Sequence, residues 1–359
     1  MLQEKFDKQL PSDFDFVIPL YRIRWNTQAV LEGITTHYQP RAIHVIAPTP
    51  EAQALKEMAQ NWATAPLYTH QEETFFHKYG LTKEKICAEL DLGQSLYTPG
   101  WFYQQLLKLG AFEGIKDLSE WYVVWDSDLL PVDTWQLIHQ QEQTIKRSFA
   151  LIQHNGWGNE NIVSKWDKWI CSVLGVDPLT DHEGTFVPHH MWFKQDHLKS
   201  FTRQVNRYYE STDHWLLLMM RSANEFGTFS EYWSYVSWVA THAPDDLAFH
   251  SYKKYGATTE RFFDDGTGLF STALKRHQDI LSDFLEGSFS PSYKQVASFI
   301  HAEYEPNAIP SSLSFESSPR HLKKDSKNMH IEELRSRWNP RDTNASHDIK
   351  EPTYLSTSS

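Results

Sequence analysis

The first seventy residues alternate between strand-like and helix-like periods, and that alternation restricts the fold more than any other feature of the chain. Phe14-Asp15-Phe16-Val17-Ile18-Pro19-Leu20 is an apolar run of strand length. From Asn26 to His37 the residues Val30, Leu31 and Ile34 fall on one helical face. Ala42-Ile43-His44-Val45-Ile46-Ala47 is a second strand, and Pro66 to Thr69 a short third. Between them Thr49 is expected to cap a helix that Pro50 opens at its first position, running to about Trp62. Strands separated by helices cannot pair as hairpins, so this order predicts a parallel sheet with right-handed crossovers.

A fourth strand ends in the residues with the most chemical promise. Trp121-Tyr122-Val123-Val124-Trp125 runs straight into Asp126-Ser127-Asp128, and Pro131 is read as a break soon after. Within a strand, Asp126 and Asp128 share a face, because alternate residues point the same way. Where the chain turns at the strand's end, both carboxylates can converge on one point outside the sheet. Two hard oxygen ligands at the carboxyl edge of an α/β sheet suit Mg²⁺ or Mn²⁺ and a diphosphate. Asp13-Phe14-Asp15 has the same spacing but precedes its strand, at the opposite edge, and is read as a solvated strand entry. The plainer alternative for Asp126 and Asp128 is a capped turn leading into the next segment. There a helix is expected over Asp133 to Gln143, then a strand over Ser148 to Ile152.

Composition narrows the function classes. A net charge of −12 argues against a general binder of nucleic acid or anionic membrane. With 14 Trp, 16 Tyr and 21 Phe, the chain can bury a large core and line a stacking pocket. Cys87 and Cys171 are the only cysteines, which form neither a disulfide framework nor a zinc cluster and favour a reducing compartment. The N-terminal residues lack the apolar core of a signal peptide, and the longest apolar run, Trp215 to Met220, is too short to span a bilayer. A cytoplasmic location without a membrane span is the expectation.

Further along, Gln71 to Ser95 reads as a short helix with surface loops, and Gly100 to Leu109 as a helix with Phe102, Leu106 and Leu109 at core spacing. Beyond residue 158 helical patterns dominate. Leu198 to Glu210, Asp213 to Ala223 and a segment opened by Ser230 as N-cap read as helices. From about Glu305, Ser, Pro, Asn, Lys and Asp take over and disorder is expected. The organisation predicted is an αβα half over 1–158, a helix-rich half of the same domain over 159–304, and a disordered tail over 305–359.

Four blocks stand in order: Val17-Ile18-Pro19-Leu20, Gly100 to Leu109, Trp125-Asp126-Ser127-Asp128, and His189-His190-Met191 followed by Ser230-Glu231-Tyr232. Together they resemble an uncharacterised family of GT-A-type glycosyltransferases, over roughly residues 14 to 255. The resemblance implies a GT-A-like α/β fold: an αβα sandwich with a mostly parallel central sheet, a nucleotide-sugar-binding half and a more variable acceptor half. It implies transfer of a sugar from a nucleotide-sugar donor to a glycan or other hydroxyl-bearing acceptor, assisted by Mn²⁺ or Mg²⁺. Asp128 is then the more direct metal ligand. Asp126 is a second ligand, or a contact to the ribose or to the metal through water.

The remaining candidates follow from chemistry read beside that resemblance. His189 or His190 can complete the metal shell. Adjacent residues on an extended segment point oppositely, so only one is expected to face the site. The competing reading is a pair of hydrogen-bonded histidines at a helix start. Glu231 is the candidate general base for an inverting reaction, against the alternative that it simply sits in a helix's first turn. Gln104, Gln105 and Lys108 lie on the helix before the metal strand, with Gln104 and Lys108 four apart and on one face, and can reach donor hydroxyls or phosphate oxygens; the alternative is a polar helix face. Arg22 and Arg24 follow the first strand, where diphosphates often bind in open α/β sheets, and Arg22 is nearer the strand end. Two other classes stay open on the sequence: a non-catalytic carbohydrate- or nucleotide-binding protein on the same scaffold, and a metal-dependent phosphohydrolase built on Asp126, Asp128, His189 and His190.

Overall fold

Apolar runs far apart in the sequence assemble into one central sheet. The protein is described here by a computed structural model covering residues 13–91, 93, 95, 97–134, 137–141, 144–146, 148–154, 160–180, 184–251, 264–265, 291–303 and 311–315. The expected alternation is present: β1 (Asp15–Pro19), α1 (Thr27–Tyr38), β2 (Ala42–Ala47), α2 (Thr49–Met58) and β3 (Leu67–Gln71). A short α3 (Lys83–Cys87) and a long α4 (Pro99–Gly114) lead to β4 (Trp121–Trp125). Next come β5 (Leu129–Pro131), β6 (His139–Gln141), β7 (Thr144–Lys146), β8 (Ser148–His154), α5 (Glu160–Trp169), β9 (Gly184–Thr185) and β10 (His190–Lys194). The helix-rich part then holds α6 (Gln195–Tyr208), α7 (Trp215–Phe226) and α8 (Glu231–His242). The last described elements are β11 (Leu247–Ser251), β12 (Asp264–Asp265), α9 (Tyr293–Glu303) and β13 (Ser312–Ser314).

The central sheet has the order β10-β4-β1-β2-β3. All neighbours are parallel except β10, which runs antiparallel to β4. The chain winds outward from β1 to β3 and then returns to the other side of β1 as β4. This reversal leaves a crevice beyond the carboxyl ends of β1 and β4, the usual ligand position in such sheets. Phe16, Val17, Val45, Val123 and Val124 are fully buried within the sheet. Each such side chain contributes about 1.5–3 kcal/mol relative to exposure. α4 lies close on its neighbours because Gly110 and Gly114 leave room for the Phe76 and Phe75 rings; a Cβ on Gly110 would stand 2.7 Å from Phe76 Cζ. Among the described residues, no helix is long and apolar enough to cross a membrane.

Several local expectations are corrected. No helix forms across the described part of 133–143; His139–Gln141 instead form β6, an antiparallel hairpin with β7. After Leu137 and Ile138 this stretch offers His139-Gln140-Gln141, with no apolar residue one turn on to complete a stripe. Pro131 does not end regular structure but closes β5, opposite Ser312, at a strand terminus where its missing N–H is tolerated. Ser312–Ser314, inside the expected tail, is a buried strand paired with β5; the rest of 305–359 lies outside the described residues apart from Ser311 and Phe315. Thr49 does not cap α2, whose N-cap is Pro48; its hydroxyl donates to Glu73 Oε2 at 2.8 Å. Asp15 is buried rather than solvated. Arg41 Nε donates to Asp15 Oδ1 (2.8 Å), and Ser119 N donates to Oδ2 (2.9 Å). Burial alone would raise the Asp15 pKa, but bonds from His44, Arg41 and Ser119 hold it well below the ordinary carboxylate range.

Candidate metal and substrate site

β4 ends at Trp125, so strand alternation does not bring Asp126 and Asp128 together. A tight turn does. The Leu129 N–H donates to the Asp126 carbonyl at 3.1 Å. Trp125 Nε1, fully buried, donates to the Leu129 carbonyl at 2.7 Å. The two aspartates therefore leave the sheet's carboxyl edge on one closed loop, beside the reversal point. A small, mostly apolar cavity between β1, β2 and α1 reaches this loop only at Ser127.

The register of β10 on β4 decides which histidine joins them. His190 stands opposite Trp125, which puts His189 opposite Asp126, and the Asp126 N–H donates to the His189 carbonyl at 2.9 Å. Cross-strand partners share a face. His189 Nδ1 accordingly lies 3.2 Å from Asp126 Oδ2. His190 turns to the other face, its ring centroid 4.8 Å from that of Trp125. Burial, with His189 adding to it, pushes the His190 pKa down to about 3. Asp126, Asp128 and His189 each offer a ligand atom, all within 4.8 Å of one another. Neither histidine starts a helix.

A buried cation faces this group from α4. Thr98 caps α4 by accepting from Trp101 N, and Lys108 lies inside the packed helix with its side chain 4 % exposed. Its Nζ is 2.7 Å from Asp126 Oδ1 and 2.8 Å from Glu231 Oε1. Glu231 occupies the first turn of α8, where Ser230 is the N-cap as expected, accepting from Trp233 N. Burial by itself would lower the Lys108 pKa. The carboxylates of Asp126 and Glu231 outweigh it, and the pKa rises well above the ordinary lysine value. Tyr232, next on α8, donates its hydroxyl to Asp126 Oδ1 at 3.3 Å, and its ring centroid is 4.5 Å from Lys108 Nζ. Burial first, then the charge of Asp126, pushes the Asp128 carboxyl up, while Arg24 and Lys108 pull it down.

The other expected residues are distributed unevenly. Gln105, not Gln104, shares the buried side with Lys108, and its Nε2 donates to the Trp101 carbonyl of its own helix at 3.2 Å. Gln104 is partly exposed on α4. The Arg22 guanidinium stands 5.3 Å from the Tyr21 ring centroid. Arg24 is the arginine whose charge reaches Asp128, and its Nη1 donates to the Phe315 carbonyl at 3.3 Å. Tyr232 and Phe315 are thus the site residues that sequence reasoning passed over, and Arg24 takes the place for which Arg22 was preferred. Arg24 shares its position after β1 with Arg22, and Tyr232 adjoins Glu231, but nothing local marks Phe315.

Two carboxylates and one imidazole within reach of one point form a donor set suited to Mn²⁺ or Mg²⁺. The chain belongs to the family of unknown function DUF6492, whose family model matches residues 25–266. No curated protein matches it. Among solved structures it is similar to mouse xyloside xylosyltransferase 1, at 9 % identity and a TM-score of 0.39, over 67 % of this chain and 85 % of that one. It is also similar to the galactosyltransferase LgtC in complex with donor and acceptor sugar analogs, at 11 % identity and a TM-score of 0.38, over 91 % and 95 %. A third is 4-diphosphocytidyl-2C-methyl-D-erythritol synthase from Anaerococcus prevotii DSM 20548, at 7 % identity and a TM-score of 0.31, over 67 % and 90 %.

Proposed function

We propose that this member of a family of unknown function is a metal-dependent glycosyltransferase of the GT-A type, moving a sugar from a nucleotide-sugar donor to a hydroxyl-bearing acceptor. One observation carries the reading. The turn after β4 and the register of β10 bring Asp126, Asp128 and His189 together at the point where the strand order reverses. Those three residues would hold a divalent cation. When bound, the cation supplies Lewis-acid neutralisation of a diphosphate leaving group.

The chain's own residues divide the remaining work. Lys108 holds Asp126 in place through its ion pair and offsets the negative charge of the two aspartates. Glu231 holds Lys108 through a second ion pair. For Glu231 the geometry favours this role over proton abstraction, because its Oε1 is already engaged by the ammonium. Tyr232 donates to Asp126 and orients that carboxylate. Arg24, at the end of the β1 loop, supplies positive charge on the side of Asp128 where phosphate oxygens would arrive. The phosphohydrolase reading is disfavoured because two-metal sites need a larger ligand set, and the described residues contain one such group.

Calorimetry with UDP, GDP, ADP and CMP, each with and without Mn²⁺, tests the proposal. One nucleotide should bind with a clear dependence on Mn²⁺, and Asp128→Ala should abolish that dependence. Absence of Mn²⁺-dependent binding for all four refutes the reading. Slow hydrolysis of the matching sugar nucleotide separates an enzyme from a binding protein on the same scaffold.

A further inference from the structure

We infer that β13 is a clasp on the metal-binding turn, with Phe315 as the positioning residue that fixes Asp128 and ties it to the loop after β1. The inference rests on the metal reading for its consequence and on the backbone geometry for its substance. The Phe315 N–H donates to the Asp128 carbonyl at 2.9 Å. Immediately beyond, Ser314, Leu313 and Ser312 pair in antiparallel register with Leu129, Leu130 and Pro131. At the far end of the ladder, the Val132 and Asp133 N–H groups both donate to the Ser311 carbonyl, at 2.8 and 3.0 Å. The segment that leaves the aspartate turn is therefore held along its length by a strand drawn from near the other end of the chain.

The clasp also reaches the other lip of the crevice. Arg24 Nη1 donates to the Phe315 carbonyl at 3.3 Å. The Phe315 ring meets Trp25 edge-on, with centroids 5.0 Å apart and planes at 90°. Leu313 and Phe315 are 0 % and 4 % exposed, so the strand is anchored by burial as well as by hydrogen bonds. One residue thus connects the backbone of a metal-ligand candidate to the arginine facing it. A ligand's geometry depends on what holds the ligand: outer-shell partners of metal sites typically carry 10- to 100-fold of the affinity. Without the clasp, the turn loses the partner that sets the Asp128 carbonyl, and its internal Leu129-to-Asp126 bond, no longer backed by the ladder, opens more often.

Phe315→Pro removes the N–H donor, whereas Phe315→Leu keeps it along with most of the apolar bulk; Leu55→Ala, a fully buried truncation in α2, controls for general destabilisation. Mn²⁺ affinity by electron paramagnetic resonance and amide exchange at Leu129 are read on all four full-length proteins. Phe315→Pro should weaken Mn²⁺ binding by about 10- to 100-fold and speed Leu129 exchange. Phe315→Leu and Leu55→Ala should stay within about threefold of wild type, well inside that range. Equal effects from Phe315→Pro and Leu55→Ala, or an unchanged Leu129 amide in Phe315→Pro, overturn the clasp. If the wild-type protein binds no Mn²⁺, the metal reading fails, and Leu129 exchange alone then decides the clasp.

Discussion

Lys108→Met is the perturbation whose cost can be worked most directly from the site. Methionine keeps the length and the apolar stem while deleting the ammonium that Asp126 and Glu231 share. Their bonded oxygens lie 2.7 and 2.8 Å from the same nitrogen. They are therefore no more than about 5.5 Å apart, and two unit charges at that separation repel by about 3 kcal/mol at an effective dielectric of roughly 20. Removing one partner from a buried ion pair costs about 3–5 kcal/mol, which agrees with the Coulomb figure. Lys108→Met should accordingly lower unfolding free energy by about 3 kcal/mol in urea. At roughly 2–4 °C per kcal/mol, this corresponds to a fall of about 6–12 °C in melting temperature. Adding Glu231→Gln removes the second charge and should recover more than half of the loss. A single variant within about 0.5 kcal/mol of wild type, or a double variant no more stable than the single, would refute the claim that this ammonium balances two carboxylates.

Two further predictions concern the scaffold. His44 Nδ1 and His70 Nε2 are 3.1 Å apart, and burial, reinforced by His44, pushes the His70 pKa from 6.5 down to about 4. Below pH 6.5 the unfolded chain takes up a proton that the folded chain refuses, so stability is complete above that pH and declines as pH falls toward 4. The loss amounts to at most about 3 kcal/mol. Melting temperatures of wild type and His70→Phe across this range should diverge, with the flatter curve belonging to the variant; parallel curves would show that His70 does not titrate this way. Gly110→Ala should destabilise by about 1–3 kcal/mol through overpacking against Phe76, although the same change in an exposed helix stabilises by about 1 kcal/mol. A urea midpoint higher than wild type would count against that close approach.

Much of the first half was legible because its signals are local. β2 and β4 fall where their apolar runs stand, and α1 follows its apolar stripe to within a residue at each end. The Asp126–Asp128 pair was legible as an exit from a buried strand, whereas Lys108 and Glu231 were picked out singly, as a donor contact and a candidate base, without the ion pair that joins them. What failed locally was the segment after the aspartates, where a helix was expected and a hairpin forms. No periodicity there outweighs the pairing available to its backbone.

Residue order alone determined the elements up to the end of β4: which stretches extend, which coil, and that the early strands lie parallel. Tertiary structure alone decided the site. A one-residue shift of β10 would exchange His189 for His190 at the carboxylates. The Lys108 ammonium finds its two acids only because α4 and α8 pack together, and Asp128 is held by a strand more than 180 residues away in sequence. Pairing between distant segments is set by register and burial across the whole molecule, and no window of sequence contains both partners.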